Sequence, residues 1–552
     1  MSSDATNDRL AAHLRKYSPS PSGDPDAGLR ALTHYERRLP KWRYRLRQKL
    51  IPIVRWETPY LARMQQTCRS PLLDSYFAMT ANLGTHTFYM MFLPLCFWCG
   101  YPDLGIALVH MLGLGVWWTG VVKDLCCLPR PLSPPLARLT MSGSAALEYG
   151  FPSTHTTNAV SVAVFCLWRL VEVRGEWDPV AFKVTTAAVA CYATSITIGR
   201  MYCGMHGFFD VVVGIVLGAL IGWLRVVCGP AFDTWILQGD WHRAGLTILA
   251  VLLSVRFHPE PADNCPCFDD TVSFLGVIIG GALAFWHHGK IVAPSTERDA
   301  AFLQMYPYRN EDLLKSAARL VLGIIVIFAW RALMKPTLLR CLPPTFRFID
   351  HWGLMIPRRY FIQARDYQQV PPLRKDDNVL PSASDIPAML SNIRRRRRVS
   401  VGPQSEADAR EYLANREIRR KASQSTPDAE SRRSRSRQGA EHQQSLPSPL
   451  EEEPTETAAA QQDEQAVYTS SLQTRPPDSS LLTPPASEKS SPASESNTDK
   501  EEQRNDRRMF SLLEKPRTHY DVEVITRLVV YAGIGWLAIE WNPVLFGLLG
   551  LN

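Results

Sequence analysis

Three short motifs carry side chains that bind phosphate or move protons: Lys123-x6-Arg130-Pro131, Phe151-Pro152-Ser153-Thr154-His155, and Gly199-Arg200-x5-His206-x3-Asp210. Cleaving a phosphate monoester needs cations or N–H donors around the equatorial oxygens, a nucleophile, and an acid to protonate the leaving alkoxide. Lys123, Arg130 and Arg200 supply the cations, and the guanidinium groups can grip oxygens in bidentate fashion. Ser153 and Thr154 precede an apolar run that starts near Thr156. A helix beginning there turns backbone N–H groups toward an anion. His155 and His206 are the histidines of the motifs, and Asp210 follows His206 by four residues. On the first turn of a helix that spacing shares one face, where a carboxylate orients the imidazole and stabilises its charged form. The positive charge comes from side chains, so no metal and no cofactor are expected.

Each motif alone has a plainer explanation. Lys-x6-Arg-Pro matches any basic membrane flank, and Pro-Ser-Thr-His matches any N-cap. Their joint occurrence beside hydrophobic segment ends is what points to one site.

The elements that must position these residues are apolar segments long enough to cross a bilayer. They run over about Phe77–Trp98, Leu104–Val122, Thr156–Val173, Pro179–Ile198, Phe208–Leu224, Ala244–Val255, Val272–Trp286, Ala317–Leu333 and Thr526–Leu549. No alternation marks strands, and only helices satisfy the backbone in lipid without a closed barrel. The expected fold is therefore all-α, a polytopic transmembrane helical bundle of about eight to nine spans. Gly214, Gly218 and Gly222, with Gly276, Gly280 and Gly281, permit close helix packing. Strict alternation of the spans puts all three motifs on one membrane face. Asp210 then lies at the headgroup boundary, where an ionisable residue marks a site. That position suits a lipid with its tail in the bilayer and its phosphate in the interface.

At these residues the chain resembles the type 2 phosphatidic acid phosphatase and vanadium haloperoxidase superfamily. The usual third motif begins Ser-Arg, where this sequence has Gly199-Arg200, so one hydroxyl near the phosphate is missing. The usual second motif reads Pro-Ser-Gly-His. Thr154 in that place, together with Arg200-Met201-Tyr202-Cys203-Gly204-Met205-His206, resembles the sphingosine-1-phosphate phosphatase branch, whose fungal members are long-chain-base-1-phosphate phosphatases. The resemblance spans Lys123–Gly229. It implies that His206 is the nucleophile, forming a phosphohistidine, with Asp210 as its partner and His155 as the acid. It implies Lys123, Arg130, Ser153, Thr154 and Arg200 as the phosphate-binding set, a phosphorylated sphingoid base as substrate, and the endoplasmic reticulum membrane as location. A broader lipid phosphatase, acting on phosphatidate, diacylglycerol pyrophosphate or dolichyl diphosphate, and a non-catalytic membrane scaffold or transporter are the alternatives.

The rest of the 552 residues is of two kinds. A chain that is 46% hydrophobic with a net charge of +8 averages an apolar first two thirds with a polar tract, and is not a soluble globule. Residues 1–29 are expected as a disordered tail, 30–75 as a basic interfacial region, 76–363 as the transmembrane phosphatase domain, 364–516 as a disordered polar tract and 517–552 as a C-terminal anchor. In the basic region Arg37, Arg38, Lys41, Arg43, Arg45, Arg47 and Lys49 interleave with Trp42, Tyr44, Leu46, Ile51 and Trp56, a pattern for an amphipathic helix against anionic headgroups. Nucleic acid is not an expected partner beside so many membrane segments. Arg394–Arg398, before Ser400, reads as a solvated charge run, with anionic-lipid binding or a basophilic-kinase mark for Ser400 as the alternatives. The cysteines are scattered, and Cys265-Pro266-Cys267 stands too isolated for a zinc site. An even number of spans before the site places it on the basic, cytosolic face, whereas the resemblance implies the lumenal one; the side stays open.

Overall fold

The computed structural model describes residues 27–84, 86–133, 135–139, 147–291, 313–353, 361–370 and 519–551. Thirteen α-helices can be followed among them: α1 (Leu32–Arg38), α2 (Lys41–Cys68), α3 (Pro71–Asn82), α4 (His86–Trp98), α5 (Pro102–Cys126), α6 (Thr154–Glu172), α7 (Pro179–Tyr202), α8 (Phe208–Leu237), α9 (Trp241–Arg256), α10 (Cys267–Ile291), α11 (Leu313–His351), α12 (Asp521–Trp536) and α13 (Asn542–Leu548). A π-helical turn, Leu537–Trp541, joins the last two. Among the described residues the only extended pairing is one isolated bridge between Ile362 and Tyr520. The fold is the helical membrane bundle that the sequence leads one to expect.

Six of these helices are long and apolar enough to cross a membrane: α5, α7, α8, α10, α11 and the α12–α13 stretch. By length and apolarity alone, three of the nine expected segments fall short of that measure. The expected first span, Phe77–Trp98, is two helices, α3 and α4, broken after Asn82. Gly84 sits in the break, where an added Cβ would stand 2.9 Å from Cδ2 of His155. The expected sixth span is α9, only 16 residues long. The expected third, α6, is less apolar because its packed face carries buried Thr154, Thr156, Thr157, Asn158 and Ser161, yet it still carries the chain from the end of α5 back to the start of α7.

The helix ends follow local chemistry. α5 opens on Pro102 with Asp103 in its first turn, where a fixed φ and a negative charge both favour the start. α7 opens on Pro179 after Asp178, whose carboxylate accepts the N–H groups of Val180 and Ala181 at 2.9 and 3.0 Å. α6 is capped by Ser153, whose Oγ accepts from the Thr156 N–H at 3.4 Å.

α5 is the buried centre. Around it α4, α10, α11 and α12 share one apolar core that includes Trp98, Met111, Phe268, Phe274 and Tyr531. α6 packs along α8 through the glycine seam. An added Cβ at Gly214 would stand 3.0 Å from the Ser153 carbonyl oxygen, one at Gly222 2.8 Å from that of Ser161, and one at Gly218 would collide with that of Thr157. Glycine at every fourth position therefore lets two backbones touch, and this brings the start of α6 against the start of α8. α7 is different: Val180, Val184 and Ile198 are exposed, the composition of a face turned to lipid.

The basic region is α1 to α3. On α2, Ile51, Val54, Leu61 and Ala62 are buried on one face while Trp42, Trp56 and Tyr60 are exposed on the other. Arg37, Arg38, Lys41, Arg45 and Lys49 are exposed, as a headgroup-facing helix requires. Arg43 and Arg47 correct that expectation, because both are buried. Arg43 donates to the carbonyl oxygens of Asp124 and Leu125. Arg47 donates to those of Cys127 and Gly28 and stacks 3.6 Å from the Tyr35 ring centroid. At the opposite boundary, Ala364 and Tyr367 open the polar tract and are packed: the Ala364 N–H and the Tyr367 hydroxyl donate to Asp521 at 2.8 and 2.6 Å. Residues 371–518, including the arginine run before Ser400, lie outside the described residues.

Candidate active site

All three motifs meet at one end of the bundle. Lys123 lies in the last turn of α5 and Arg200 in the last turn of α7, while His155 opens α6 and Asp210 lies in the first turn of α8. Lys123, Arg130, Ser153, Thr154, Arg200, His206 and Asp210 are buried, and His155 is half-buried.

His206 is held by its backbone neighbours. Its Nδ1 donates to the Gly150 carbonyl oxygen at 2.8 Å. A carbonyl only accepts, so the ring proton is on Nδ1 and the lone pair is on Nε2. Nη1 of Arg130 donates to that Nε2 at 3.2 Å and to the Met205 carbonyl oxygen at 2.9 Å. The Arg200 carbonyl oxygen accepts the N–H groups of Met205 and His206 at 3.0 and 3.3 Å, which ties the imidazole to the end of α7. Burial, then the charges of Arg130, Arg200 and Lys123, push the His206 imidazole well below its ordinary pKa of 6.5. It is neutral at pH 7.

Asp210 is close to His206 without being its hydrogen-bond acceptor. Its Oδ2 lies 3.6 Å from Nδ1 and accepts the Gly207 N–H at 2.9 Å, capping α8. The four-residue spacing therefore does place carboxylate and imidazole together, but Gly150 supplies the orienting bond. The Ser153 hydroxyl is engaged with Thr156 at 3.0 Å, and the Thr154 hydroxyl donates to Thr119 on α5 at 3.0 Å. Nε of Arg200 is buried with no hydrogen-bond partner among the described residues, an open donor beside the imidazole.

A family model described as the PAP2 superfamily matches residues 104–233, which hold all three motifs. A dihydrosphingosine 1-phosphate phosphatase of Schizosaccharomyces pombe is 36% identical over 61% of this chain and 80% of its own length. One of Saccharomyces cerevisiae is 33% identical over 49% of this chain and 68% of its own. The chain belongs to the PAP2 superfamily. Human sphingosine-1-phosphate phosphatase 2 is also similar, at 28% identity over 50% of this chain and 67% of its own length. No solved structure matches.

The PAP2 site rests on residues that carry no motif signal. Glu57 of α2 is buried and accepts the Phe209 N–H with both oxygens, at 3.1 and 3.2 Å, at the positive end of α8. Burial raises its pKa against the opposing bonds from the Phe209 and Phe208 N–H groups. Gly207 allows the approach, since an added Cβ would collide with Glu57 Oε2. The Gly150 loop is fixed from behind: its N–H donates to the Leu128 carbonyl oxygen at 2.9 Å, and the neighbouring Tyr149 hydroxyl bonds Asp263 at 3.1 Å. Burial alone would raise the pKa of Asp263, but bonds from His34, the Gly28 N–H and Tyr35 hold it below its usual value. Beside Lys123, Asp124 bonds His258 at 2.9 Å. Among the described residues, only Asp124, Cys265 and Cys267 group closely enough to hold a metal, within 4.8 Å. The two cysteines are joined there as a disulfide, a pairing that the sequence had not indicated.

Glu148 was also missed. Its Oε2 accepts from Arg130 at 2.9 Å and lies 3.7 Å from Nζ of Lys123, so a carboxylate bridges two of the three cations. It stands two residues before Gly150 and five before Ser153, in no recognisable spacing.

Proposed function

We propose that this PAP2 chain is a membrane phosphohydrolase that releases phosphate from sphingoid-base 1-phosphates, dihydrosphingosine 1-phosphate among them, through a phosphohistidine intermediate and without a metal. One observation carries the chemistry: His206 presents an uncharged Nε2 lone pair toward Arg130, with Lys123 and Arg200 adding to the positive surroundings. The substrate class is supported by the names of the fungal relatives. Six apolar helices support a multi-pass membrane protein, and the endoplasmic reticulum is assigned on family resemblance.

Lys123, Arg130 and Arg200 receive the phosphate oxygens, and an oxygen that takes over Arg130 frees the lone pair of His206. Nε2 attacks phosphorus, forming a P–N bond as the ester P–O bond breaks. His155 gives the departing alkoxide its proton. It then takes a proton from water, whose oxygen attacks phosphorus and breaks the P–N bond, releasing inorganic phosphate and restoring His206. The negative charge of Asp210 stabilises the imidazolium character that develops on the ring.

Purified protein in detergent, with chelator present, is expected to release phosphate from dihydrosphingosine 1-phosphate faster than from phosphatidate. No release with chelator overturns metal independence. Equal release from both supports a broader lipid phosphatase, to which the 30% identity with lipid phosphate phosphatase delta of Arabidopsis thaliana lends weight.

The pH profile is a further expected result. Protonating His206 removes the lone pair, so activity is lost as pH falls through its pKa in the folded enzyme. That pKa is lowered, so the loss moves to more acid pH. The acid limb of kcat/KM, after correction for the substrate phosphate's own ionisation near pH ~6, is expected below 6.5. A limb at or above that value that persists in Asp210→Asn, where loss of the Asp210 charge cannot cause it, contradicts a neutral His206.

A further inference from the structure

A carboxylate among phosphate-binding cations needs a reason. Glu148 contacts both Lys123 and Arg130, and its side chain is 25% exposed while theirs are 7% and 4% exposed. The acid thus forms the accessible lip of a cluster whose cations lie deeper. Toward phosphate alone this arrangement is unfavourable, because the carboxylate repels the dianion and competes with it for the same donors. It becomes favourable when the ligand carries a positive charge beside its phosphate.

Phosphorylated sphingoid bases have that charge. Their ammonium group sits on the carbon next to the one bearing the phosphate ester, so cation and anion enter together. In phosphatidate the corresponding carbon bears an acyl ester, which has no charge and no donor. When the phosphate takes over Arg130 and Lys123, Glu148 loses these two cationic contacts, and an ammonium group arriving at the lip replaces them. We propose that Glu148 is the ammonium subsite of this enzyme and the residue by which it prefers amino-bearing lipid phosphates. This rests on the sphingoid-base reading of the function and adds its recognition element.

The test compares full-length wild type with Glu148→Gln, in the same detergent, on dihydrosphingosine 1-phosphate and on its deamino analogue, with hydrogen in place of the amine. For wild type, kcat/KM should favour the amine. In Glu148→Gln, kcat/KM for the amine should fall by about 10- to 100-fold, the range of a charge-assisted hydrogen bond, chiefly through KM. Turnover of the deamino analogue should fall at least about 10-fold less than that of the amine, and its persistence shows that the variant is folded. Glu148→Asp should restore part of the preference. An equal loss on both substrates makes Glu148 a spacer between Lys123 and Arg130 and overturns the proposal, as does an undiminished preference in Glu148→Gln. Absence of any amine preference in wild type instead removes the sphingoid-base assignment, and the subsite with it.

Discussion

His206→Ala is expected to lower phosphate release by about 10^5-fold, the scale seen when a covalent nucleophile is removed. The expectation comes from the bonds around the ring. Nδ1 is committed to the Gly150 carbonyl, so Nε2 alone has a lone pair for phosphorus, and it already lies 3.2 Å from an oxyanion donor, Arg130. His155 is half-buried at the start of α6, and its ring lies against Gly84. It is therefore placed as a proton carrier near the mouth of the site. The two roles separate under a trapping experiment with labelled phosphate in the substrate. Wild type quenched in turnover should carry acid-labile label, His206→Ala none, and His155→Ala should acquire it more slowly, because the leaving alkoxide lacks its proton donor. Label retained in His206→Ala would transfer the nucleophilic role elsewhere and dismantle the mechanism. Stability should change little by comparison: the lost bond to Gly150 is one of several that hold this loop, which Leu128, Tyr149 and Asp263 also secure.

The candidate cluster was legible because its residues are chemically unusual where they occur. Lysine, arginine, histidine and aspartate at the ends of apolar runs are costly unless they converge, and the alternation of the runs already put them at one end of the bundle. The seam of Gly214, Gly218 and Gly222 was legible for a related reason, since small residues at every fourth position leave room for a second backbone. The supporting shell was not. Glu57 meets Phe209 from 152 residues away, and Tyr149 meets Asp263 from 114 away. Such pairings depend on tertiary placement, which no local period encodes. Arg43 and Arg47 were misjudged by composition: on a basic amphipathic helix every cation looks solvated, yet these two fall on the buried face and satisfy carbonyl groups at the end of α5 and its following loop. The first span was misjudged because hydropathy records composition over a window and does not register a break at Leu83-Gly84. The acceptor for His206 was missed because a backbone carbonyl has no sequence signature at all.

That last point sharpens what Asp210→Asn should do. In a serine protease triad the carboxylate also fixes the tautomer, and its amide variant loses about 10^4-fold because the ring is held the wrong way round. Here the Gly150 carbonyl fixes the tautomer, and Asp210 stands 3.6 Å from Nδ1 while capping Gly207. Asparagine can keep the cap through its own carbonyl oxygen, and Glu57 continues to accept the Phe209 N–H, so α8 should start where it does now. What disappears is a negative charge beside a ring that becomes cationic as the P–N bond forms. At an effective dielectric of about 20, a charge pair at this separation is worth about 4 kcal/mol, or roughly 10^3-fold. The expected result is a kcat lower by about 10^2- to 10^3-fold, with KM within about 3-fold of wild type, because the charge is needed in the transition state more than in the bound complex. Activity within 3-fold of wild type would make Asp210 a helix cap only. A loss as deep as that of His206→Ala would show that the Gly150 carbonyl cannot hold the ring alone, and that Asp210 closes onto Nδ1 when substrate binds.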